Sequence, residues 1–337
     1  MSETPLLEVE NLAVHFPIRS GGFLVTGPGR AWLRAVDGVS FSLQAGETLG
    51  IVGESGCGKS TLGRGVLRLI EPTAGRIAWL GEELGSLGNE ALRAKRRDMQ
   101  IIFQDPLASL NPRMTIGSII AEPLITHEPG LTKAEVNQRV REVMDETGLL
   151  PTMINRYPHE FSGGQCQRVG IARAMILRPK LIVCDEPVSA LDVSIQGQII
   201  NLLMQLQRDF GLALLFISHD LSVIRHISHR ILVLYLGKVM EVAGRDSLYL
   251  APRHPYTRAL ISAVPIPDPA LEREKKRIVL EGDLPSPIDP PSGCVFRTRC
   301  AHATARCAES EPPLENVDAG HQVACHHWRE LGGGPSS

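Results

Sequence analysis

Gly53-Glu54-Ser55-Gly56-Cys57-Gly58-Lys59-Ser60 lies between an apolar run, ETLGIV at 47–52, and a helical pattern, STLGRGVLRLI at 60–70. The spacing G-x-x-x-x-G-K-S in a strand–loop–helix setting predicts a phosphate-binding loop. Glycines at these positions let backbone N–H groups wrap phosphate oxygens, and the following helix N-terminus adds positive potential. Lys59 is then placed for the β- and γ-phosphates, and the Ser60 hydroxyl for Mg²⁺. The G-x-G-x-x-G spacing of dinucleotide binders is absent here.

Outward from this loop, residues 1–265 alternate short apolar runs with helical patterns, which predicts an α/β fold with a largely parallel sheet. Candidate strands are 47–53, 99–104, 181–186, 213–218 and 230–236. The run LIVCDE at 181–186 is apolar on consecutive residues, as a strand covered on both faces should be, and it ends in two acids. Between 105 and 180 the strand signal gives way to helical patterns at 132–147 and 164–177, an inserted helical subdomain. From 266 to 337 the texture is loop-rich. The runs PIPDP, LPSPIDPPSG and EPP exclude long helices, and few apolar residues are left for a core. Something other than hydrophobic burial is therefore expected to order this extension. The glycines 332–334 and the final PSS are expected to fray.

With 337 residues, the chain is long enough for a sizeable core. Lys+Arg 35 against Asp+Glu 37 leaves a net charge of -2, so no global field draws it to nucleic acid or anionic lipid. The basic cluster Arg93, Lys95, Arg96, Arg97 has no interleaved aromatic and reads as a solvated helix face. Apolar runs such as LALLFI at 212–217 fall far short of the ~20 residues that cross a bilayer. The N-terminus has no secretory-signal pattern, so a cytosolic, reducing setting is expected for the seven cysteines.

Asp185 and Glu186 supply the second half of a nucleotide site, Asp185 for the metal shell and Glu186 to activate the attacking water. Phe161-Ser162-Gly163-Gly164-Gln165 lies between the two motifs and opens a helical run whose N-terminus suits an anion. Together with Gln104 in IIFQD, SALD at 189–192 and His219 in ISHD, these motifs stand in the order found in ABC-type ATPases, and residues 7–265 resemble that family. The resemblance implies a RecA-like, mainly parallel core sheet, an antiparallel β subdomain, the inserted helical subdomain, and two such cassettes closing head to tail around ATP. By the same resemblance, Gly53 through Ser60 and Thr61 bind the phosphates and Phe16 stacks on adenine. Ser60, Gln104 and Asp185 serve Mg²⁺, with Gln104 also linking metal and water to the membrane partner. His219 grips the γ-phosphate. Ser162, Gly163, Gly164 and Gln165 reach the nucleotide of the opposite subunit, and Asp192 sits at the dimer seam. Cys166 departs from the basic or polar residue common after the signature Gln. Phe161 replaces the commoner Leu.

QDPLASLNPRMTIG at 104–117, FPIRSGGFL at 16–24, AVDGVSF at 35–41 and the tail RHPYTRALISAVP at 253–265 narrow the resemblance to the ATPase subunits of dipeptide/oligopeptide importers, and to the F-type member of a paired set. This implies a second, different ATPase chain, two membrane permeases, an extracytoplasmic substrate-binding protein, no nucleic-acid partner, and a peripheral place on the cytoplasmic face of the inner membrane. Relatives also handle nickel complexes, glutathione and other solutes, and peptide is the expected cargo. A soluble ABC ATPase of DNA repair or translation is the competing class, but such chains carry two cassettes or long inserted arms.

Cys294, Cys300, Cys307 and Cys325 follow C-x5-C-x6-C-x17-C. Four thiolates suit zinc or an iron-sulfur cluster, and the missing C-x₂₋₄-C pairs tilt toward iron-sulfur. Resemblance to importer ATPases with this tail implies a [4Fe-4S] cluster. Zinc and unligated thiols are the alternatives, and His302, His321, His326 and His327 are substitute ligands. A metal would order the extension directly.

Overall fold

Leu181–Asp185 is buried at every residue, as its unbroken apolar run requires, and pairs in parallel with Met99–Ile102 on one side and Ala213–Ser218 on the other. The computed structural model describes residues 4–18, 31–265 and 268–331. Residues 19–24 of FPIRSGGFL, residues 266 and 267 of PIPDP, and the terminal glycines with PSS lie outside them. Two compact units result, one built mainly from Leu43–Thr48 and Leu80–Ser218, the other from Leu7–Ser42, Leu49–Trp79 and the chain from His219 onward.

The first unit contains the three parallel strands and, between Met99–Ile102 and Leu181–Asp185, the helices Ile116–His127, Lys133–Glu146 and Gly163–Met175. Local chemistry sets the helix ends. Thr132 and Glu135 form a reciprocal capping box for Lys133–Glu146, and Gly211, at φ 65°, ends Val193–Phe210 where a side chain would be strained. The basic cluster lies on and just after the helix Asn89–Arg96, and two of its members meet acids: Lys95 reaches Glu82 at 2.5 Å and Arg97 reaches Glu128 at 2.7 Å.

In the second unit, Leu7–Ile18 lies between Ala31–Leu43 and an antiparallel partner, Ala74–Trp79. A second strand set runs Glu315–Asp318, His321–Val323, Lys238–Gly244, Arg230–Tyr235 and residues 49–52 of Thr48–Val52. Residues 49–52 run parallel to Arg230–Tyr235, which ends the strand leading into the phosphate loop against a fixed neighbour.

The extension is not held as its composition led us to expect. Two of its strands continue this sheet, and Val295, Phe296 and Val323 are buried. Phe296 packs against Tyr235 and Tyr256, each ring centroid 5.3 Å away, and Tyr235 and Tyr256 are themselves in edge contact at 4.8 Å. Few apolar residues suffice because one of them, Phe296, wedges into an aromatic cluster with Tyr235 and Tyr256.

A buried Glu–His hydrogen bond completes the attachment. Glu241, fully buried, accepts from His321 Nε2 at 2.7 Å and from the backbone N–H groups of Arg253 at 2.6 Å and His254 at 3.0 Å. Removing the imidazole leaves a buried oxygen of Glu241 without that partner. His321→Ala is therefore expected to cost about 2–3 kcal/mol and to lower the thermal unfolding midpoint by several degrees. An unchanged melt would show that Glu241 needs only its backbone donors.

Candidate functional site

The loop 53–60 has the closeness of approach that demands glycine. A Cβ on Gly53 would lie 2.1 Å from Leu234 O and 2.7 Å from Cys57 Sγ, and one on Gly58, at φ +105°, would lie 1.9 Å from Ala35 O. Gly58 also caps the helix Lys59–Val66. Lys59 is buried, its Nζ donating to Gly53 O at 2.8 Å and Glu54 O at 3.0 Å. Its ammonium is thus drawn back along the inside of the loop, preorganised for an anion rather than free in solvent. Cys57 is buried beneath the loop, and burial pushes its thiol up against the opposing pull of Lys59, so it acts as a small apolar filler. Ser55 and Gly56 are exposed, while Ser60 and Thr61 are half-buried at the helix start. Phe16 is half-buried on Leu7–Ile18.

In the other unit, Asp185 ends its strand buried, and Glu186 follows half-buried with a left-handed backbone, φ 48°. For a glutamate that conformation is strained, and strain of this kind collects where a side chain must be aimed. Glu186 N–H donates to Ile217 O at 3.1 Å, and its carbonyl accepts from Ser189 Oγ at 3.0 Å. With the backbone pinned, the carboxylate meets Gln104, whose Nε2 donates to Glu186 Oε2 at 3.1 Å. The structure thereby brings together two residues that lie 82 positions apart.

Ser162 caps Gly163–Met175. Its Oγ accepts from Gln165 N–H at 3.3 Å, while Gln165 Oε1 accepts from Ser162 N–H at 2.9 Å. This capping box uses Gln165 internally, which leaves Ser162 and Gly163 as the exposed residues of the motif. A Cβ on Gly164 would meet Ile195 at 2.6 Å. Cys166 points inward, fully buried with Sγ 3.5 Å from Pro158 O, so its departure from the usual residue type falls in the core. Asp192 and His219 are exposed.

The glycine-lined loop with its buried lysine suits a phosphate chain.

Residues 36–189 match the family model described as ABC transporter, and residues 240–307 the model described as oligopeptide/dipeptide transporter, C-terminal region. The oligopeptide transport ATP-binding protein OppF of Escherichia coli (strain K12) is 61% identical over 320 residues, covering 95% of each chain. This chain belongs to the ATP-binding subunits of the dipeptide/oligopeptide ABC transporter family. The putative oligopeptide transport ATP-binding protein YkfD of Bacillus subtilis (strain 168) is 53% identical over 98% of this chain and 97% of its own. Among solved structures, the ATP-binding cassette MJ0796, a dimer in a post-hydrolysis state bound to ADP and Pi, superimposes with a TM-score of 0.63 at 29% identity. The match covers 71% of this chain and 98% of that one. The ABC transporter ATPase subunit is accordingly an ATPase with the α/β cassette fold. No helix among its described residues is long and apolar enough to cross a membrane.

The extension of the ATPase subunit departs from expectation at its cysteines. Cys294 N–H donates to Cys307 O at 2.8 Å, and the four thiols lie within electrostatic range of one another. Yet among the described residues no group of three or more His, Cys, Asp or Glu side chains is placed to hold a metal ion. Burial pushes the Cys294 and Cys325 thiols up to about 11, so they stand as neutral thiols. Of the substitute histidines, His321 is engaged by Glu241, His326 by the Ser310 carbonyl, and His327 by Thr304 and Glu330. The expected iron-sulfur or zinc centre is therefore not supported, and strand pairing with the aromatic wedge orders the extension instead.

Two contacts to the phosphate loop escaped the sequence. Tyr256 Oη accepts from Glu54 N–H at 2.9 Å, and Arg299 Nη1 donates to both Glu54 carboxylate oxygens at 3.0 and 2.8 Å. Tyr256 stands in a stretch quoted above only for its family likeness, and Arg299 lies between Cys294 and Cys300, read above only as metal ligands.

Proposed function

We propose that this ATPase subunit energises the import of dipeptides and oligopeptides as one half of an ATPase dimer with a second, different ATPase chain. The dimer would sit on two permease subunits at the cytoplasmic face of the inner membrane and be served by an extracytoplasmic substrate-binding protein. The carrying observation is the 61% identity across 95% of the chain to a protein named for oligopeptide transport, joined to the C-terminal-region match. The cassette is assigned to 1–265 and the extension to 266–337.

In this reading the loop N–H groups and Lys59 bind the β- and γ-phosphates, Phe16 stacks on adenine, and His219 holds the γ-phosphate. Ser60, Gln104 and Asp185 would hold Mg²⁺, which neutralises charge on the phosphate oxygens when bound. Glu186, aimed by its strained backbone and steadied by Gln104, takes the proton of the attacking water. The exposed Ser162 and Gly163, with Gly164 and Gln165 behind them, address the γ-phosphate bound by the partner cassette, and Asp192 lies at that seam. Each chain then contributes half of each site, and closure of the pair on ATP drives the permeases.

Growth of a peptide-dependent auxotroph tests the cargo. A strain lacking this chain is expected to lose growth on di- and oligopeptides supplying the required amino acid, while growing normally on the free amino acid. Unchanged growth across a broad peptide panel would move the cargo to another small solute.

A further inference from the structure

Glu54 is held at all of its polar handles. Its carbonyl accepts from Lys59, its N–H donates to Tyr256 Oη, and its carboxylate takes both contacts from Arg299. Only the first of these belongs to the G-x-x-x-x-G-K-S motif. Arg299 comes from the extension, 245 residues away, with its side chain only 10% exposed. It follows Phe296 by three positions, and Phe296 is locked between Tyr235 and Tyr256. The aromatic cluster thus fixes both residues that grip Glu54 from outside the motif.

We propose that Arg299 is a positioning residue for the nucleotide, holding Glu54 so that the phosphate-binding loop stays in its binding-ready form. Two physical effects act in the same direction. Pinning the Glu54 side chain keeps the Glu54 carbonyl where Lys59 needs it, so the loop spends no ordering entropy when phosphate arrives. The guanidinium also neutralises a carboxylate inside a loop that must wrap a polyanionic phosphate chain, and an uncompensated charge there repels the ligand. The extension thereby takes part in ATP affinity without touching ATP.

This inference rests on ATP being the ligand of residues 53–60, and the test separates the two. Binding of a fluorescent N-methylanthraniloyl-ATP with Mg²⁺ is measured on the purified full chain, on Arg299→Ala, on Glu54→Gln and on the double variant. Arg299→Ala is expected to weaken binding about tenfold, and Arg299→Lys, which keeps the charge but not the planar group, to fall between. In the Glu54→Gln background, Arg299→Ala should cost no more than about twofold, because no carboxylate remains to be held or neutralised. The Arg299→Ala deficit should also shrink as salt rises, since screening blunts the exposed charge. Wild-type affinity in Arg299→Ala overturns the proposal, and so does an equal loss in both backgrounds, which would mean that Arg299 acts only through the fold. Arg299→Gln, preserving size and packing, is read in the same cycle where the alanine chain does not fold. Failure of the unaltered chain to bind the probe would instead overturn the ATP reading and carry this one with it.

Discussion

Glu186→Gln is expected to reduce ATP turnover at least about a hundredfold while leaving nucleotide affinity within about twofold of the unaltered chain. The amide has nearly the shape of the carboxylate and can keep a contact with Gln104, so the strained turn at φ 48° has no reason to relax. What is lost is the ability to take a proton from water, a contribution of about 10²- to 10⁴-fold in general-base reactions. Because binding survives, the variant should accumulate with ATP bound, and size-exclusion chromatography with the proposed second ATPase chain should show more closed dimer. Turnover at the unaltered rate would assign the base elsewhere.

Lys59→Ala is expected to fail at an earlier step. The substitution removes the one ammonium inside the loop and, with it, two bonds to Gly53 O and Glu54 O that brace the loop against itself. Both losses act on the ground state, so ATP affinity should fall at least about tenfold and hydrolysis should become undetectable. Lys59→Arg should do little better. The site is buried, and a planar guanidinium does not fit the space between two converging carbonyls that a compact ammonium occupies. Equilibrium binding and phosphate release, measured on the same preparations, separate this variant from Glu186→Gln. Binding retained at the unaltered level would contradict the role given to Lys59.

What the sequence revealed and what it concealed divide along physical lines. The loop 53–60, the acids 185–186 and the signature 161–165 are legible because each chemistry needs particular residue types at short, fixed spacing: glycine where a Cβ would strike Leu234 or Ala35, serine where a helix must be capped. The parallel strands are legible from consecutive apolar residues covered on both faces. The extension was misread because its order comes from pairings with no local period. Glu241 meets His321 across 80 residues and Glu54 meets Arg299 across 245, and nothing near any of the four marks its partner. Cysteine spacing invited a metal, whereas the folded chain keeps the Cys294 and Cys325 thiols neutral and uses a glutamate, a histidine and three rings to do the fastening.

The strand His321–Val323 has a consequence beyond attachment. Lys238–Gly244 is bonded to Arg230–Tyr235 on one side, and on the other its Glu241 and Val242 meet Val323 and Gln322. Without that second neighbour, a mostly buried, apolar strand would present a row of unmatched N–H and C=O groups, the kind of surface on which separate chains stack into aggregates. The last described strands, Glu315–Asp318 and His321–Val323, are short, and the outer one alternates half-buried with exposed positions and carries Glu315 and Asp318. Short, charged edges resist further pairing. The extension therefore acts as a selvedge, replacing a sticky border by a short, charged one.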